Sequence, residues 1–173
     1  SVGSAAVFNP AATFQHIAAA KLTDSKFVVA YRDVGNSRFG AAIVGQVDGT
    51  SITWGNEYVF NQGWTNYESV AALSDSKFVV AYEDVSMLGY GTAIVGQVSD
   101  MSISFGFETV FNPAATEYPS VTALTSTKFV VAYRDEGNAN HGTARVGQVS
   151  GTTINYGSET VFNPADTAFA SVT

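Results

Sequence analysis

The segment K-F-V-V-A-Y-R-D, Lys26–Asp33, decides the fold, because it returns almost unchanged as Lys77–Asp84 and Lys128–Asp135. The copies are spaced by roughly 51 residues, the length of one structural unit in many repeat proteins. We therefore predict that the chain is a series of similar units and not one irregular domain.

Other segments extend the repeat over the whole chain. Val7–Pro10 and Gly45–Val47 return in later units, and Phe14-Gln15-His16-Ile17 is aligned with segments that begin at Tyr67, Tyr118 and Phe169. The later copies of the first two segments are Val59–Gln62, Val110–Pro113 and Val161–Pro164, then Gly96–Val98 and Gly147–Val149. We predict a single repeat domain, 1–173, with units at about 7–58, 59–109 and 110–160 and a partial unit at 161–173.

Each unit is predicted to hold four short antiparallel strands, because apolar and β-branched runs alternate with turn residues. Turn sequences such as Asp48-Gly49 and Ser150-Gly151 suit hairpins that need positive φ. The predicted strands are Ile17–Leu22, Phe27–Arg32, Ala41–Val47 and Ser51–Trp54, with copies at Val70–Leu73, Val121–Leu124, Thr92–Val98, Thr143–Val149 and Thr153–Tyr156.

Four strands per unit of this length predict an all-β fold of β-propeller blades. The second strand is apolar on both faces, with Phe27, Val29 and Tyr31 on one face and Val28 and Ala30 on the other. A blade is covered on both faces by its neighbours, whereas an open sheet alternates more cleanly. A β-trefoil, which also has three units of four strands, is the alternative.

The two ends of the chain also match the repeat. Gly3–Phe8 corresponds to the end of a fourth strand, and Phe169–Thr173 to the beginning of a first strand. We therefore expect three complete blades with a flanking strand on each side. Three blades alone would leave open edges, so the expectation is a piece of a longer array or self-assembly with other copies.

The composition excludes several classes of function. The 173 residues are 46% hydrophobic and 13% charged, with a net charge of -7 and no cysteine. Nucleic-acid binding needs a basic patch, which is missing, and disulfides, zinc–thiolate sites and cysteine catalysis are impossible. No apolar run reaches the ~18 residues of a membrane span, and Ser1–Ser4 lacks the features of a signal peptide.

The repeats resemble the tandem propeller-like β-repeats of large surface or secreted proteins of microbes and their viruses. The resemblance lies in K-F-V-V-A-Y-R-D-x-G-N, followed by the G-T-A-x-V-G-Q-V-S-G-T segment and its V-F-N ending, and covers essentially the whole chain. It implies adhesion, ligand display or a structural role outside the cell, and it names no ligand.

The candidate ligand-binding residues lie in the loops that follow the second strand. Carboxylates and amides there could accept sugar hydroxyls, and loop aromatics could stack on a sugar ring. The candidates are Asp33, Asn36, Phe39, Trp64, Asp84, Tyr90, Asp135, Asn138 and His141. The competing interpretation, favoured for the aspartates, is a turn carboxylate that caps the backbone two residues on.

Other recurring polar residues are interpreted as structural. Glu57, Glu108 and Glu159 are expected to pair with Lys26, Lys77 and Lys128, and Arg32, Glu83 and Arg134 to form surface ion pairs. Gln46, Gln97 and Gln148 are expected to satisfy loop backbone groups. One Asp and one Asn per loop are too few for calcium, and neither His16 nor His141 has a partner at metal-ligand spacing.

No catalytic motif is present, so we predict no enzyme, no cofactor and no metal. The leading hypothesis is an extracellular repeat module that binds glycans or other surface ligands weakly at several equivalent sites, which raises avidity. The alternative is a structural subunit of a filament, virion or other assembly. A third interpretation is a fragment of a propeller hydrolase.

Overall fold

A computed structural model describes residues 3–173, with the backbone alone for Phe14 and Gln15. Ser1 and Val2 lie outside the described residues, as does the side chain of Phe14. The signal-peptide argument and the first two positions of the predicted domain fall on Ser1 and Val2. The described part is all-β, and its strands form a large antiparallel array that does not close into a barrel. The β-trefoil alternative is therefore wrong, because that fold is built around a closed barrel.

Thirteen strands are found in residues 3–173. In chain order they are β1 (Thr13–Lys21), β2 (Lys26–Asp33), β3 (Phe39–Asp48), β4 (Ser51–Trp54), β5 (Tyr58–Ser74), β6 (Lys77–Asp84), β7 (Tyr90–Ser99), β8 (Ser102–Phe105), β9 (Thr109–Thr125), β10 (Lys128–Asp135), β11 (His141–Ser150), β12 (Thr153–Tyr156) and β13 (Thr160–Asp166). Short 3-10 turns at Val34–Asn36, Val85–Met87 and Glu136–Asn138 follow the repeated second strands.

Backbone pairing divides the strands into three sheets. The first sheet is β1, β2 and β3, with β4 and the first half of β5 both paired to β3. The second sheet repeats this order from the second half of β5 to the first half of β9. The third runs from the second half of β9 to β13. Each sheet thus has four strand positions, because two segments, such as β4 and the first half of β5, share the position beside the third strand.

The two 17-residue strands β5 and β9 each belong to two sheets. In β5, Tyr58 pairs with Ala42 of the first sheet, whereas Val70 pairs with Val80 of the second sheet. The first strand of each later unit therefore begins well before the predicted Val70 and Val121.

The sheets stack face to face around two hydrophobic cores. One core joins the first and second sheets through residues such as Val44 and Phe78, and the other joins the second and third through Val95 and Phe129. The second strand is buried on both faces in the first two units, as the two-sided pattern predicts. A smaller cluster, with Phe8 and Trp54 packed against Tyr31, covers the outer face of the first sheet.

One phenylalanine of each unit fills the junction with the next sheet. Phe60 lies 5.1 Å from the ring of Tyr82, and Phe111 lies 5.0 Å from the ring of Tyr133. Phe8 makes the same contact with Tyr31 at 5.0 Å. Aromatic pairs at this distance contribute roughly 0.5–1.5 kcal/mol beyond the area they bury, so the V-F-N motif has a packing role.

Two of the three recurring glutamates, Glu57 and Glu108, bind tyrosines and not lysines. Tyr31 donates a hydrogen bond to Glu57 at 2.5 Å, and Tyr82 donates one to Glu108 at 2.7 Å. Burial, first, and then the neighbouring carboxylates raise the pKa of both tyrosine hydroxyls, which therefore stay neutral donors. The expected pairing of these glutamates with the repeated lysines is wrong.

The recurring glutamines satisfy backbone groups, as expected. The side-chain amide of Gln97 donates to the Ser76 carbonyl oxygen at 2.7 Å, and that of Gln148 to the Thr127 carbonyl oxygen at 2.8 Å. Both bonds hold the hairpin that precedes the second strand.

Candidate functional site

The aspartates that end the second strands are structural caps. Asp33 is buried, and its carboxylate accepts hydrogen bonds from the backbone N–H of Gly35 at 2.9 Å and from the Asn9 amide at 3.0 Å. Asp135 has the same two partners, Gly137 at 3.0 Å and Asn112 at 2.9 Å. The turn-capping interpretation is thus confirmed, because one oxygen of each carboxylate, Oδ1, accepts both of these hydrogen bonds.

The middle unit caps its turn in the same way. Asp84 accepts a hydrogen bond from the backbone N–H of Ser86 at 3.1 Å. The Asn61 side-chain oxygen accepts one from the backbone N–H of Gly63 at 2.7 Å. Asn36 and Asn138 end the 3-10 turns of the outer units and are half-buried. Their role in ligand binding stays a prediction.

The loop aromatics begin the third strand of each unit. Phe39 pairs across the sheet with Trp64, Tyr90 with Ala115, and His141 with Asp166. All three loop aromatics are half-buried. Only the first of these pairs joins two of the predicted ligand-binding residues.

Trp64 lies beside a shallow depression of about 340 Å³ that Arg32, Val34 and Arg38 also line. Its ring is partly exposed, and the Arg38 guanidinium carbon lies 4.4 Å from the ring centroid. An arginine that already stacks on the indole competes with any ligand for that face. The prediction that Trp64 anchors a ligand stays open.

A second arrangement, which the sequence did not predict, is a row of four aromatic rings. We call His16, Tyr67, Tyr118 and Phe169 the aromatic row. Successive ring centroids lie 4.6, 4.6 and 4.5 Å apart, and the rings are tilted by 40–59°. These residues come from one position in the four successive first-strand segments, so the row crosses the boundaries between sheets.

The row corrects the sequence alignment. Ala18 pairs with Ala30, and in the second unit Ser69 pairs with Ala81, the equivalent of Ala30, so His16 is equivalent to Tyr67 in the repeat. The alignment of Phe14 with Tyr67 is wrong, because the first unit has one additional residue between Thr13 and His16.

The backbone at the row is unusual. Tyr67, Tyr118 and Phe169 have φ values of 56°, 51° and 56°, in the left-handed region that aromatic residues rarely adopt. The register of the sheet shifts beside the first two of them, where the long strands pass from one sheet to the next. Such strain costs roughly 1–2 kcal/mol per residue, and it turns the rings into one row.

Glu68 lies beside the row in a depression of about 310 Å³, which the four rings also line. Its exposed fraction is only 6%, and neither carboxylate oxygen has a hydrogen-bond partner in another described residue. Burial raises the pKa of this carboxyl group to about 7, against a hydrogen bond from its own backbone N–H and the attraction of the Arg32 guanidinium. The other units carry Ile17, Pro119 and Ala170 at this position, so the carboxylate breaks the repeat.

A charged network lies near Glu68 and Tyr67 without lining the depression. Arg32 donates a hydrogen bond to Asn66, whose amide donates to Glu83 at 2.9 Å. Glu117, which also lies near Tyr67, pairs with Arg134. Arg32 is buried, so the expectation of a surface ion pair is wrong for this residue.

The histidine of the row is neutral at ordinary pH. Burial, together with the nearby Arg32 charge, lowers the pKa of His16. Burial also raises the pKa of the Tyr67 hydroxyl group. The depression thus combines uncharged rings with one unpartnered carboxyl group.

No group of three His, Asp or Glu side chains in the described residues could hold a metal ion. In the same part of the chain no helix has the length and apolar character needed to cross a bilayer.

A scan of protein-family models found no match, and a search of curated proteins found no significant match. The site is therefore interpreted from its own geometry.

Proposed function

We propose that the three sheets are propeller-type blades. The support is the strand order, in which one long strand leaves the last edge of a sheet and becomes the first strand of the next. Neighbouring first strands are also linked directly, because the Ser69 hydroxyl accepts from the Val121 N–H at 3.0 Å and the Ser120 hydroxyl from the Val172 N–H at 3.1 Å. These links hold the first strands side by side, as expected around a common axis.

On this architecture we propose a non-enzymatic, extracellular module that binds glycans or similar surface ligands weakly. The observation that carries the proposal is the aromatic row. Aromatic faces pack against the C–H faces of sugar rings, while a few polar groups fix orientation. Glu68 and Ser69 supply such polar groups within the same depression.

The close spacing of the rings favours one continuous platform. Centroids 4.5–4.6 Å apart leave no room for a separate sugar on each ring. Several sugars of one chain would instead lie along the row, each contributing a small part of the affinity. The repeated weak contacts along the row then raise the overall affinity for one ligand chain, which is the avidity expected from the repeated sequence.

The test is a glycan array with the wild-type chain, followed by titration of the best ligand with two variants. Tyr118→Ala should weaken binding about tenfold, since one stacking contact contributes roughly 0.5–1.5 kcal/mol. Tyr90→Ala, in the predicted loop site, is the matched control and should bind like the wild type. Absence of binding to every glycan at high protein concentration would overturn the proposal, and loss in Tyr90→Ala alone would move the site to the loops.

A second candidate function, subunit of a larger assembly, is favoured by a different observation. The outer face of the third sheet exposes Leu124, Val146 and Phe162 and carries an apolar groove of about 270 Å³. Large exposed apolar patches mark interaction sites. We propose that a second copy of the chain covers this face.

The geometry of the first sheet favours a two-fold pairing. Its outer face is already covered, with Val29 and Tyr31 buried beneath Phe8 and Trp54. The two copies would therefore meet with their third sheets, in the symmetric contact that is commonest among dimers.

Light scattering after size exclusion tests this pairing. The wild-type chain should show a dimer at micromolar concentration, and the double variant Val146→Ser, Phe162→Ser should be a monomer. Leu88→Ser removes an even more exposed apolar side chain from a turn and should leave the dimer intact. A wild-type monomer at all concentrations would contradict the assembly.

A further inference from the structure

The depression at the aromatic row contains a carboxyl group that the packing of the fold does not use. Glu68 is more than nine-tenths buried, and both oxygens lack a hydrogen-bond partner in any other described residue. A buried group without such partners destabilises the fold, and a charged one does so more strongly. No neighbouring unit carries a carboxylate at this position, so the repeat architecture does not require it.

The charges around the depression leave an excess of acid. Arg32 of β2 faces Glu68 and attracts it, whereas Glu83 of β6 repels it. Glu117 of β9 shares the Arg134 guanidinium of β10 with Glu136 and Asp166, so these carboxylates outnumber their cation. Arg38 lies near Arg32, and His16 of β1 and Tyr67 of the row are uncharged near neutral pH. Five carboxylates, those of Glu68, Glu83, Glu117, Glu136 and Asp166, thus stand against the three guanidinium groups of Arg32, Arg38 and Arg134.

A ligand that complements these groups must bring a positive charge and apolar or C–H surface. Aromatic rings attract cations that lie within about 6 Å of their centroids. A buried carboxylate adds a direct ion pair, which is stronger away from water. A neutral sugar satisfies the rings but leaves the carboxyl group without its charge partner.

We propose that the Glu68 depression binds an organic cation, with the ammonium group against the Glu68 carboxylate and its carbon-bound hydrogens against the aromatic row. This inference deepens the proposed function, on which it rests where the cation is carried by a glycan. The cation can be the free amine of a deacetylated amino sugar or a quaternary ammonium group such as that of choline. The volume of about 310 Å³ accommodates one such group.

Three ligands separate the proposal from simple glycan binding. A glucosamine oligosaccharide and its N-acetylated counterpart have the same sugar chain and differ in charge. Choline carries the charge without a sugar. At pH 7, calorimetric titration should show the amine oligosaccharide binding at least tenfold more tightly than the acetylated one, and choline binding weakly.

The variant Glu68→Gln should remove the tenfold preference for the amine while leaving the acetylated oligosaccharide bound. Glu159→Gln, which removes the same charge from an exposed position, is the matched control and should retain the preference. Circular dichroism melts of both variants show whether each still folds.

The pH dependence supplies an independent readout. The Glu68 carboxyl group has a raised pKa of about 7 in the folded chain, so it is largely protonated at pH 5.5 and ionised at pH 8.5. Choline keeps its charge throughout, and its affinity should therefore rise about tenfold or more between these values. The rise should vanish in Glu68→Gln.

The possible results distinguish the two proposals. Equal binding of the amine and acetylated chains, with no binding of choline, would overturn the cation inference and leave glycan binding standing. Binding of choline alone would support the cation inference and overturn the proposal of glycan binding. Absence of binding to all three ligands would overturn the cation inference.

Discussion

The same face of the second and third sheets differs sharply in burial. The second sheet turns Leu73 and Val95 toward the third sheet, and their exposed fractions are 6% and 0%. The third sheet carries the equivalent Leu124 and Val146 on its outer face, where they are 57% and 44% exposed. The same sequence pattern thus produces a core in one place and an open apolar surface in another, so burial here depends on the neighbouring sheet and not on the residue type.

The phenylalanines at the junctions provide the largest test of this difference. Phe111 is fully buried between the second and third sheets, whereas Phe162 is half exposed. Phe111→Ala should lower the free energy of unfolding by about 3–5 kcal/mol, because it leaves a cavity. Phe162→Ala should lower it by about 1 kcal/mol or less. Chemical denaturation measures both, and equal losses would show that the outer face is covered in solution.

The glycines before each junction give a smaller effect. A Cβ atom on Gly106 would lie 2.3 Å from the carbonyl oxygen of Thr152, whereas one on Gly157 would meet nothing closer than 3.8 Å. Gly106→Ala should cost roughly 1–3 kcal/mol, since the backbones of neighbouring units must move apart. Gly157→Ala should be nearly neutral, and a thermal melt of the two variants compares them. A destabilised Gly157→Ala would contradict the open surface.

The serine links between first strands give the smallest expected effect. The Ser69 hydroxyl accepts a hydrogen bond from the N–H of Val121, between the second and third sheets. The Ser120 hydroxyl accepts one from the N–H of Val172, near the last described residue. Ser69→Ala should lower the free energy of unfolding by about 1 kcal/mol. Ser120→Ala should have a smaller effect, because few contacts depend on its link. Faster hydrogen exchange of the Val121 N–H in Ser69→Ala would locate the loss of stability at this link. An unchanged exchange rate would show that the link does not stabilise the fold.

Much of the fold could be predicted from the repeated phrase. The predicted second strand, Phe27–Arg32, lies within the observed Lys26–Asp33. The long strands were not predicted, because Asn61-Gln62-Gly63 has the composition of a turn. Those residues continue β5 while its pairing changes from the first sheet to the second, and a partner remote in sequence leaves no local signal.

The candidate site was less accessible to sequence reasoning. One additional residue before His16 shifted the alignment, so the histidine was not matched with Tyr67 and Tyr118. Glu68 is a single departure from the repeat, and its burial depends on rings supplied by several units. A search for charged residues that break an otherwise regular apolar position would have found it.

The shared strands β5 and β9 have a consequence for how such a chain can be lengthened or recombined. A cut at a sheet boundary would fall inside a continuous strand and separate halves that hold two sheets together. A cut in a hairpin turn, such as Gly49 with its φ of 58° and open surroundings, would leave every strand whole. The exchangeable cassette of this protein therefore runs from hairpin to hairpin. A cassette that begins at Gly49 carries the last strand segments of one sheet together with the first three strands of the next sheet.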